Sequence, residues 1–156
     1  MKFHEILPGK LYQRGLTDEH AIPDLERLGV VAVACMVKAP SPGVREWLET
    51  SGRNYYYLPI PDGKMTKPVL LGELAVELAA NLKRGAVVTH CRAGRNRSAL
   101  VSALVVREYL GVTGLEAMRI VAEARPRALA NEHFRQYLGA LPAPGKLSTT
   151  TTEVAT

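Results

Sequence analysis

Short apolar runs rich in β-branched and aromatic residues recur along the chain and predict strands. The run over 30–37 has no polar interruption, which is typical of a strand covered on both faces. Two shorter runs near the start are divided by the turn pair Pro8-Gly9. The predicted strands lie at 6–7, 10–12, 30–37, 54–60 and 85–89.

Between the strands, apolar residues recur at helical spacing behind residues that cap helices. Thr17 is the predicted cap of the first helix, and the helix after Thr66 carries Leu70, Leu74, Leu78 and Leu82 toward the core. The predicted helices run over 17–28, 41–50, 66–84, from 98 onward, 113–124 and 130–141. Strands that alternate with helices predict an α/β fold, with a mostly parallel central sheet flanked by helices.

The chain of 156 residues suits one domain, which we place at 1–141. Residues 142–156 are rich in Pro and Thr and lack the apolar content to pack, so they predict a flexible tail. No stretch reaches about 18 consecutive apolar residues, and the start lacks the apolar core of a signal peptide. We therefore expect a cytoplasmic protein without a transmembrane segment, and a monomer.

The net charge of +5 favours anionic partners without selecting nucleic acid, and we expect no nucleic-acid partner. The two cysteines, Cys35 and Cys91, have neither metal-ligand spacing nor the pattern of a disulfide framework. Cys35 is interpreted as a core thiol in a strand. We expect neither a metal ion nor another cofactor.

One polar stretch joins a buried strand to an apolar helix, and it carries the candidate chemistry. It comprises His90, Cys91, Arg92, Ala93, Gly94, Arg95, Asn96, Arg97 and Ser98. At such a junction backbone N–H groups converge on an anion. The G-x-x-x-x-G-K-[ST] phosphate loop is absent from the sequence.

Each residue type in this stretch suits phosphate chemistry. The loop amides, the helix dipole and Arg97 favour the thiolate of Cys91, which is the nucleophilic form. Arg97 offers a bidentate grip on phosphoryl oxygens, Gly94 allows a close backbone approach, and Ser98 is placed to donate to the sulfur. Singly, these residues also fit a buried thiol, a helix cap and a core histidine, but their joint occurrence at one junction favours catalysis.

The stretch resembles the His-Cys-x5-Arg-Ser/Thr signature of the cysteine-dependent protein tyrosine phosphatase superfamily, in its dual-specificity branch. The resemblance implies that Cys91 forms a phospho-cysteine intermediate, that Arg97 binds phosphate and that Ser98 assists release of the thiolate. It also implies an aspartic general acid upstream. Asp62 fits that role, 29 residues before Cys91, although an Asp-Gly pair is also a common turn.

A weaker similarity lies downstream, over 124–134. Arg125 and Asn131 match residues that buttress the phosphate loop in dual-specificity phosphatases. Without the resemblance, Arg125 is a cation at a helix C-terminus and Asn131 is a helix cap. We assign both a supporting role.

Arg92 and Arg95 depart from many protein-directed members, which carry uncharged residues at these positions. Two extra cations suit a more anionic ligand, and basic residues here occur in lipid phosphatases of the superfamily; the alternative is that both side chains are merely solvated. The expected function is metal-independent phosphomonoester hydrolysis on phosphotyrosine, phosphoserine and phosphothreonine proteins. The alternatives are a lipid or other small anionic substrate, an RNA 5′-phosphatase, or a phosphate-binding pseudophosphatase.

Overall fold

A five-stranded sheet forms the centre of the computed structural model, which describes residues 2–145. Along the sheet the order is β1-β2-β5-β3-β4. Only β1 and β2 pair antiparallel, while the other three neighbouring pairs are parallel. The strands are β1 (His4–Leu7), β2 (Leu11–Arg14), β3 (Val30–Cys35), β4 (Asn54–Tyr57) and β5 (Ala86–His90).

Helices cover both faces of this sheet. They are α1 (Ile22–Arg27), α2 (Pro42–Thr50), α3 (Pro68–Leu82), α4 (Arg97–Leu110), α5 (Gly114–Ala124) and α6 (Glu132–Gly139). One core lies between the sheet and α3 to α6, and a smaller one lies on the side of α1 and α2. Successive side chains of β5 point to opposite faces of the sheet. Val87 therefore packs in the first core and Val88 in the second. The predicted α/β class with a mostly parallel sheet is confirmed.

Helix α2 and helix α5 begin as the sequence predicts. Ser41 Oγ accepts the N–H of Val44 at 3.3 Å. Thr113 and Glu116 form a reciprocal capping box at the start of α5. Helix α6 is shorter than predicted, and Asn131 is its cap, accepting the N–H of Phe134 at 3.2 Å.

The prediction that Thr17 caps the first helix is wrong. Asp18 caps a short 3₁₀ turn at Glu19–Ala21, and α1 follows only from Ile22. Pro23 explains the later start, since a ring that fixes φ and has no N–H belongs in the first turn of a helix. The Thr17 hydroxyl instead donates to the carbonyl of Gly15 at 3.1 Å.

Helix α3 starts at Pro68 rather than after Thr66, and Lys67 precedes it with a left-handed φ of 52°. The prediction that Leu70 faces the core is wrong, because its side chain is 49% exposed. Leu71 takes its place and is fully buried, in line with Leu74, Leu78 and Leu82. The first buried leucine of α3 therefore lies three residues before Leu74 rather than four, which still places it on the same face of the helix.

Strand β4 ends at Tyr57, short of the predicted end at 60, and Pro59 beyond it has no N–H for a strand ladder. Of the predicted tail, residues 146–156 lie outside the described residues, and the carbonyl of Pro142 accepts Arg107 Nε at 2.7 Å. Among residues 2–145, no single helix has both the length and the apolar composition to cross a membrane; only α4 and α5 together, bent by 120°, meet both criteria.

Candidate active site

The polar stretch between β5 and α4 forms a tight loop at the carboxyl edge of the parallel strands, where open α/β sheets bind ligands. Cys91 is the first residue after β5, and Arg97 opens α4. We call residues 91–97 the phosphate loop, after the phosphatase signature that this stretch resembles. Cys91 is only 2% exposed and lies at its base.

Hydrogen bonds from the loop converge on the sulfur of Cys91. The N–H of Gly94 donates to Sγ at 3.2 Å, and Ser98 Oγ lies 3.3 Å from it. Burial alone would raise the pKa of the thiol, but the bonds from Ser98, Gly94 and Arg95 outweigh it and the pKa is lowered. These hydrogen bonds therefore stabilise the thiolate of Cys91 relative to that of an ordinary cysteine.

Strand β2 supports the phosphate loop from the neighbouring position in the sheet. Gln13, which is fully buried, donates from Nε2 to the carbonyl of Gly94 at 2.8 Å. The N–H of Cys91 donates to the carbonyl of Arg14 at 3.3 Å. Gly94 has φ 68°, and a Cβ placed there would lie 2.6 Å from the carbonyl carbon of Arg14. Only glycine fits this close approach.

The sequence did not point to Gln13 or Arg14. The one available signal was that the polar pair Gln13-Arg14 follows a short apolar strand. Polar side chains are unusual beside buried residues, because burying them is costly unless they are hydrogen-bonded. Their relevance depends on the register, in which Gln13 pairs with Thr89 and Arg14 with His90. That register joins segments more than seventy residues apart.

Asp62 lies beside the loop in a network with two asparagines. Asn96 Nδ2 donates to its Oδ2 at 3.1 Å, and Asn131 Nδ2 donates to its Oδ1 at 2.9 Å. Asn131 also donates from Nδ2 to the carbonyl of Gly63 at 3.0 Å and from its backbone N–H to Asn96 Oδ1 at 3.2 Å. The carboxyl group of Asp62 is thereby held toward the phosphate loop while the residue stays exposed.

Arg125 contacts the back of the loop. It donates from Nη2 to the carbonyl of Ala93 at 3.1 Å, and its other terminal nitrogen contacts Nε2 of His4. The next turn of chain adds a bond from the N–H of Leu129 to the carbonyl of Arg95 at 3.0 Å. Burial lowers the pKa of Arg125, and the nearby charge of Arg95 lowers it further.

His90 is 2% exposed, and its pKa is lowered to about 4, first by burial and then by the charge of Arg14, against a hydrogen bond with the backbone of Cys91. The imidazole is neutral at physiological pH. Its position at the end of β5, in register with Cys35, fixes the backbone from which Cys91 projects.

Arg92 and Arg97 line a cleft of about 380 Å³, and Arg125 is not among its lining residues. The cleft also contains Lys38 and Lys67. A larger groove of about 520 Å³ lies between α5 and α6, but none of the phosphate-loop residues lines it. Of the two arginines that the sequence grouped together, Arg92 lines the smaller cleft and Arg95 does not.

Within residues 2–145 no group of three or more His, Cys, Asp or Glu side chains could hold a metal ion. Cys35, also buried, donates from Sγ to the carbonyl of Val37 at 3.2 Å. Burial raises the pKa of Cys35, which is the opposite of the shift at Cys91. The surroundings of the two thiols therefore shift their pKa values in opposite directions.

Solved structures with the same architecture are dual-specificity and related tyrosine phosphatases. The active form of Tk-PTP superimposes with a TM-score of 0.74 at 22% identity, covering 87% of this chain and 92% of that one. Human DUSP28 gives 0.71 at 22% identity, covering 88% and 92%. The chain has the dual-specificity phosphatase fold. A PTP-2 phosphatase of Cydia pomonella shares this phosphatase fold, with a TM-score of 0.73 at 19% identity over 88% of each chain.

One curated relative matches by sequence, a MAP kinase phosphatase with leucine-rich repeats from Dictyostelium discoideum. It is 25% identical over 138 residues, which is 86% of this chain, and the chain spans 15% of that relative's length. No family model matches the sequence. The resemblance carried by His90 to Ser98 is confirmed at the level of the phosphatase fold.

Proposed function

We propose that the protein is a cysteine-dependent phosphatase of the dual-specificity type, which hydrolyses phosphomonoesters without a metal ion. The observation that carries the proposal is the convergence of Ser98 Oγ and the N–H of Gly94 on the sulfur of Cys91. A binding module has no need of a stabilised thiolate at the base of an anion loop. This argues against a pseudophosphatase.

In the first step the thiolate of Cys91 attacks phosphorus. The S–P bond forms while the bond from phosphorus to the leaving oxygen breaks, and Asp62 in its acid form gives that oxygen a proton. The loop amides and the guanidinium of Arg97 stabilise the charge on the three remaining phosphoryl oxygens. Asn96 and Asn131 position Asp62 for the transfer.

In the second step water attacks the phospho-cysteine. Asp62, now a carboxylate, takes a proton from the water, and the S–P bond breaks to release inorganic phosphate. The sulfur leaves as a thiolate and accepts hydrogen bonds from Ser98 and Gly94, so the bonds that lower its pKa also make it a better leaving group. Arg125 and Gln13 keep the loop in shape through both steps.

Phosphotyrosine, phosphoserine and phosphothreonine proteins are the first-choice substrates, acted on by a cytoplasmic monomer. The relative from Dictyostelium discoideum, described as a MAP kinase phosphatase, supports that choice. A second candidate is a small or lipid-borne anionic phosphomonoester. It is favoured by the cations that Lys38, Lys67 and Arg92 bring to the cleft beside Arg97.

The proposal is tested by turnover of para-nitrophenyl phosphate in the presence of EDTA. We expect turnover in the wild type and its loss, by about a thousandfold or more, in Cys91→Ser, since that substitution removes the nucleophile. Asp62→Ala should lose less on this substrate, because the good leaving group spares the first step and only the second step is slowed by the missing base. Turnover that EDTA abolishes, or that survives in Cys91→Ser, would overturn the proposed mechanism.

A further inference from the structure

The cleft beside Arg97 is walled by the chain that follows β3 and β4. Val37 and Ile60 supply buried apolar walls, and Pro59 and Pro61 stiffen the second segment. Four basic residues from three segments of the chain line this one space: Lys38, Lys67, Arg92 and Arg97. Among residues 2–145, no Asp or Glu lines it.

The charges of these four side chains are not neutralised within the described part of the chain. None of them takes part in an ion pair among residues 2–145. Lys67 donates only to a carbonyl, that of Pro59, at 3.1 Å, and Arg97 Nε is buried without a hydrogen-bond partner. Like charges gathered in one cleft repel one another unless an anion joins them.

A single phosphate monoester does not match this number of charges. It carries about two negative charges at neutral pH, and the loop amides with Arg97 already provide for it. Lys38, Lys67 and Arg92 are then left over at the edge of the same cleft. The surplus indicates a second anionic group on the ligand.

The backbone at Lys67 adds an independent observation. Lys67 has φ 52°, a left-handed conformation that glycine or asparagine adopts at lower cost. Its side chain does not cap α3 either. Lys67 therefore stands at a position where the backbone disfavours a lysine, and it lines the cleft, with its Nζ on the carbonyl of Pro59.

We propose that Lys38, Lys67 and Arg92 form a subsite for a second phosphate group of the substrate, next to the phosphate that Cys91 attacks. The inference rests on the proposed function and narrows its substrate class. Because the three residues share with Arg97 one cleft of about 380 Å³, we expect the two phosphates to lie close together on a compact scaffold. The ligand is a polyphosphorylated small molecule, either free or as the headgroup of a lipid. Arg95 is not part of this subsite.

The test compares two substrates that differ by one phosphate. They are a water-soluble, short-chain phosphatidylinositol monophosphate and the matching bisphosphate with neighbouring phosphates. We expect the wild type to prefer the bisphosphate by about tenfold or more in kcat/KM, the value of one charge-assisted contact. Lys38→Met with Lys67→Met should remove the preference through KM and leave turnover of para-nitrophenyl phosphate within about twofold.

Lys83→Met is the matched control, since it removes an exposed lysine at the far end of α3 and should keep the preference of the wild type. The Lys38→Met single variant provides the same test if Lys67→Met impairs folding, and it should lose part of the preference. The same comparison with free inositol phosphates distinguishes a free small molecule from a lipid headgroup as the ligand. A preference that is retained with the free inositol phosphates indicates a free small molecule. A preference seen only with the lipids indicates a headgroup. Either result supports the subsite.

Three results would overturn the subsite. The first is equal kcat/KM values for the two lipids in the wild type, and the second is a preference that survives in the double variant. The third arises if singly and doubly phosphorylated peptides are compared in the same way and the preference is found with the peptides alone. Calorimetric binding of the bisphosphate to Cys91→Ser separates this proposal from the proposed function. Binding weakened by Lys38→Met with Lys67→Met would support the subsite even if the wild type had no phosphatase activity.

Discussion

At the scale of single residues, the site is controlled by the opposition between burial and hydrogen bonding at Cys91. Burial raises the pKa of the thiol, and Ser98 together with the amides of Gly94 and Arg95 lowers it further than burial raises it. The pKa of Cys35 is raised, because at that sulfur burial outweighs the hydrogen bonds with Val37 and Tyr55, which lower it. The two buried thiols are thus distinguished by the balance between burial and hydrogen bonding rather than by exposure.

Ser98→Ala tests this opposition. Losing the hydroxyl should raise the pKa of Cys91, because the strongest of the bonds that lower it is gone. Since the thiolate reacts, the acid limb of kcat/KM against pH, and the pH dependence of inactivation by iodoacetate, should both move to higher pH. The kcat should fall roughly tenfold to a hundredfold, the value of one hydrogen bond to a charged group.

Ser102→Ala is the control for this prediction. Ser102 lies one turn further along α4, equally buried, and its hydroxyl bonds Thr89 Oγ1 at 2.8 Å rather than the sulfur. Its pH profile should match that of the wild type. An unchanged acid limb in Ser98→Ala, or equal shifts in both variants, would contradict the role given to Ser98.

At the scale of elements, the phosphate loop is a contact between β5, α4 and the end of β2. Gly94 is the point of closest approach, since its carbonyl accepts from Gln13 and its Cα lies against the carbonyl of Arg14. The geometry of the loop thus depends on a strand eighty residues earlier in the chain.

Gly94→Ala tests that contact. The added Cβ would lie 2.6 Å from the carbonyl carbon of Arg14 and 2.7 Å from the N–H nitrogen of Gly15, neither of which is a flexible side chain. We expect a loss of more than about 2 kcal/mol in the free energy of unfolding, measured with urea. In the protein that remains folded, we also expect about a hundredfold loss of activity, because the displaced amides of the loop no longer donate to the phosphate.

Gly111→Ala isolates the cost of the backbone conformation from that of the clash. Gly111 has the same φ of 68°, and a Cβ there meets nothing within 4 Å. Its loss in stability should stay near 1–2 kcal/mol, with activity unchanged. If Gly94→Ala behaved like Gly111→Ala in both measurements, the close approach of β2 would not matter to the site.

Much of the secondary structure around the site could be predicted from the sequence. The contacts that could not be predicted have one cause in common. The strand before Cys91, the helix after it and the cap at Asn131 depend on neighbours within a few residues, which periodicity and capping rules reveal. The bond from Asn131 to Asp62 spans 69 residues, and Gln13 reaches Gly94 across the sheet. Such pairings depend on register and packing, which no local pattern encodes. Leu70 and Leu71 differ in the same way, since both fit the helical stripe and only packing selects one.

At the scale of the whole molecule, the fold brings together short segments that are remote in sequence. The carboxyl ends of β2, β3 and β5 meet at one edge, where Gln13, Asp62, Cys91 and Arg125 contribute to a single site. At this edge Arg92 lines the cleft and Arg95 does not. Composition and charge alone could not distinguish these two arginines.

Covalent transfer of phosphate to Cys91 is the central claim, and trapping the intermediate tests it most directly. Asp62→Ala, mixed with para-nitrophenyl phosphate and quenched in acid, should accumulate the phosphorylated enzyme, because the good leaving group permits the first step while the second lacks its base. Mass spectrometry of the peptides should locate the phosphate on Cys91 and find none in Cys91→Ser. Phosphate on another residue, or turnover by Cys91→Ser without any phosphorylated cysteine, would contradict the account.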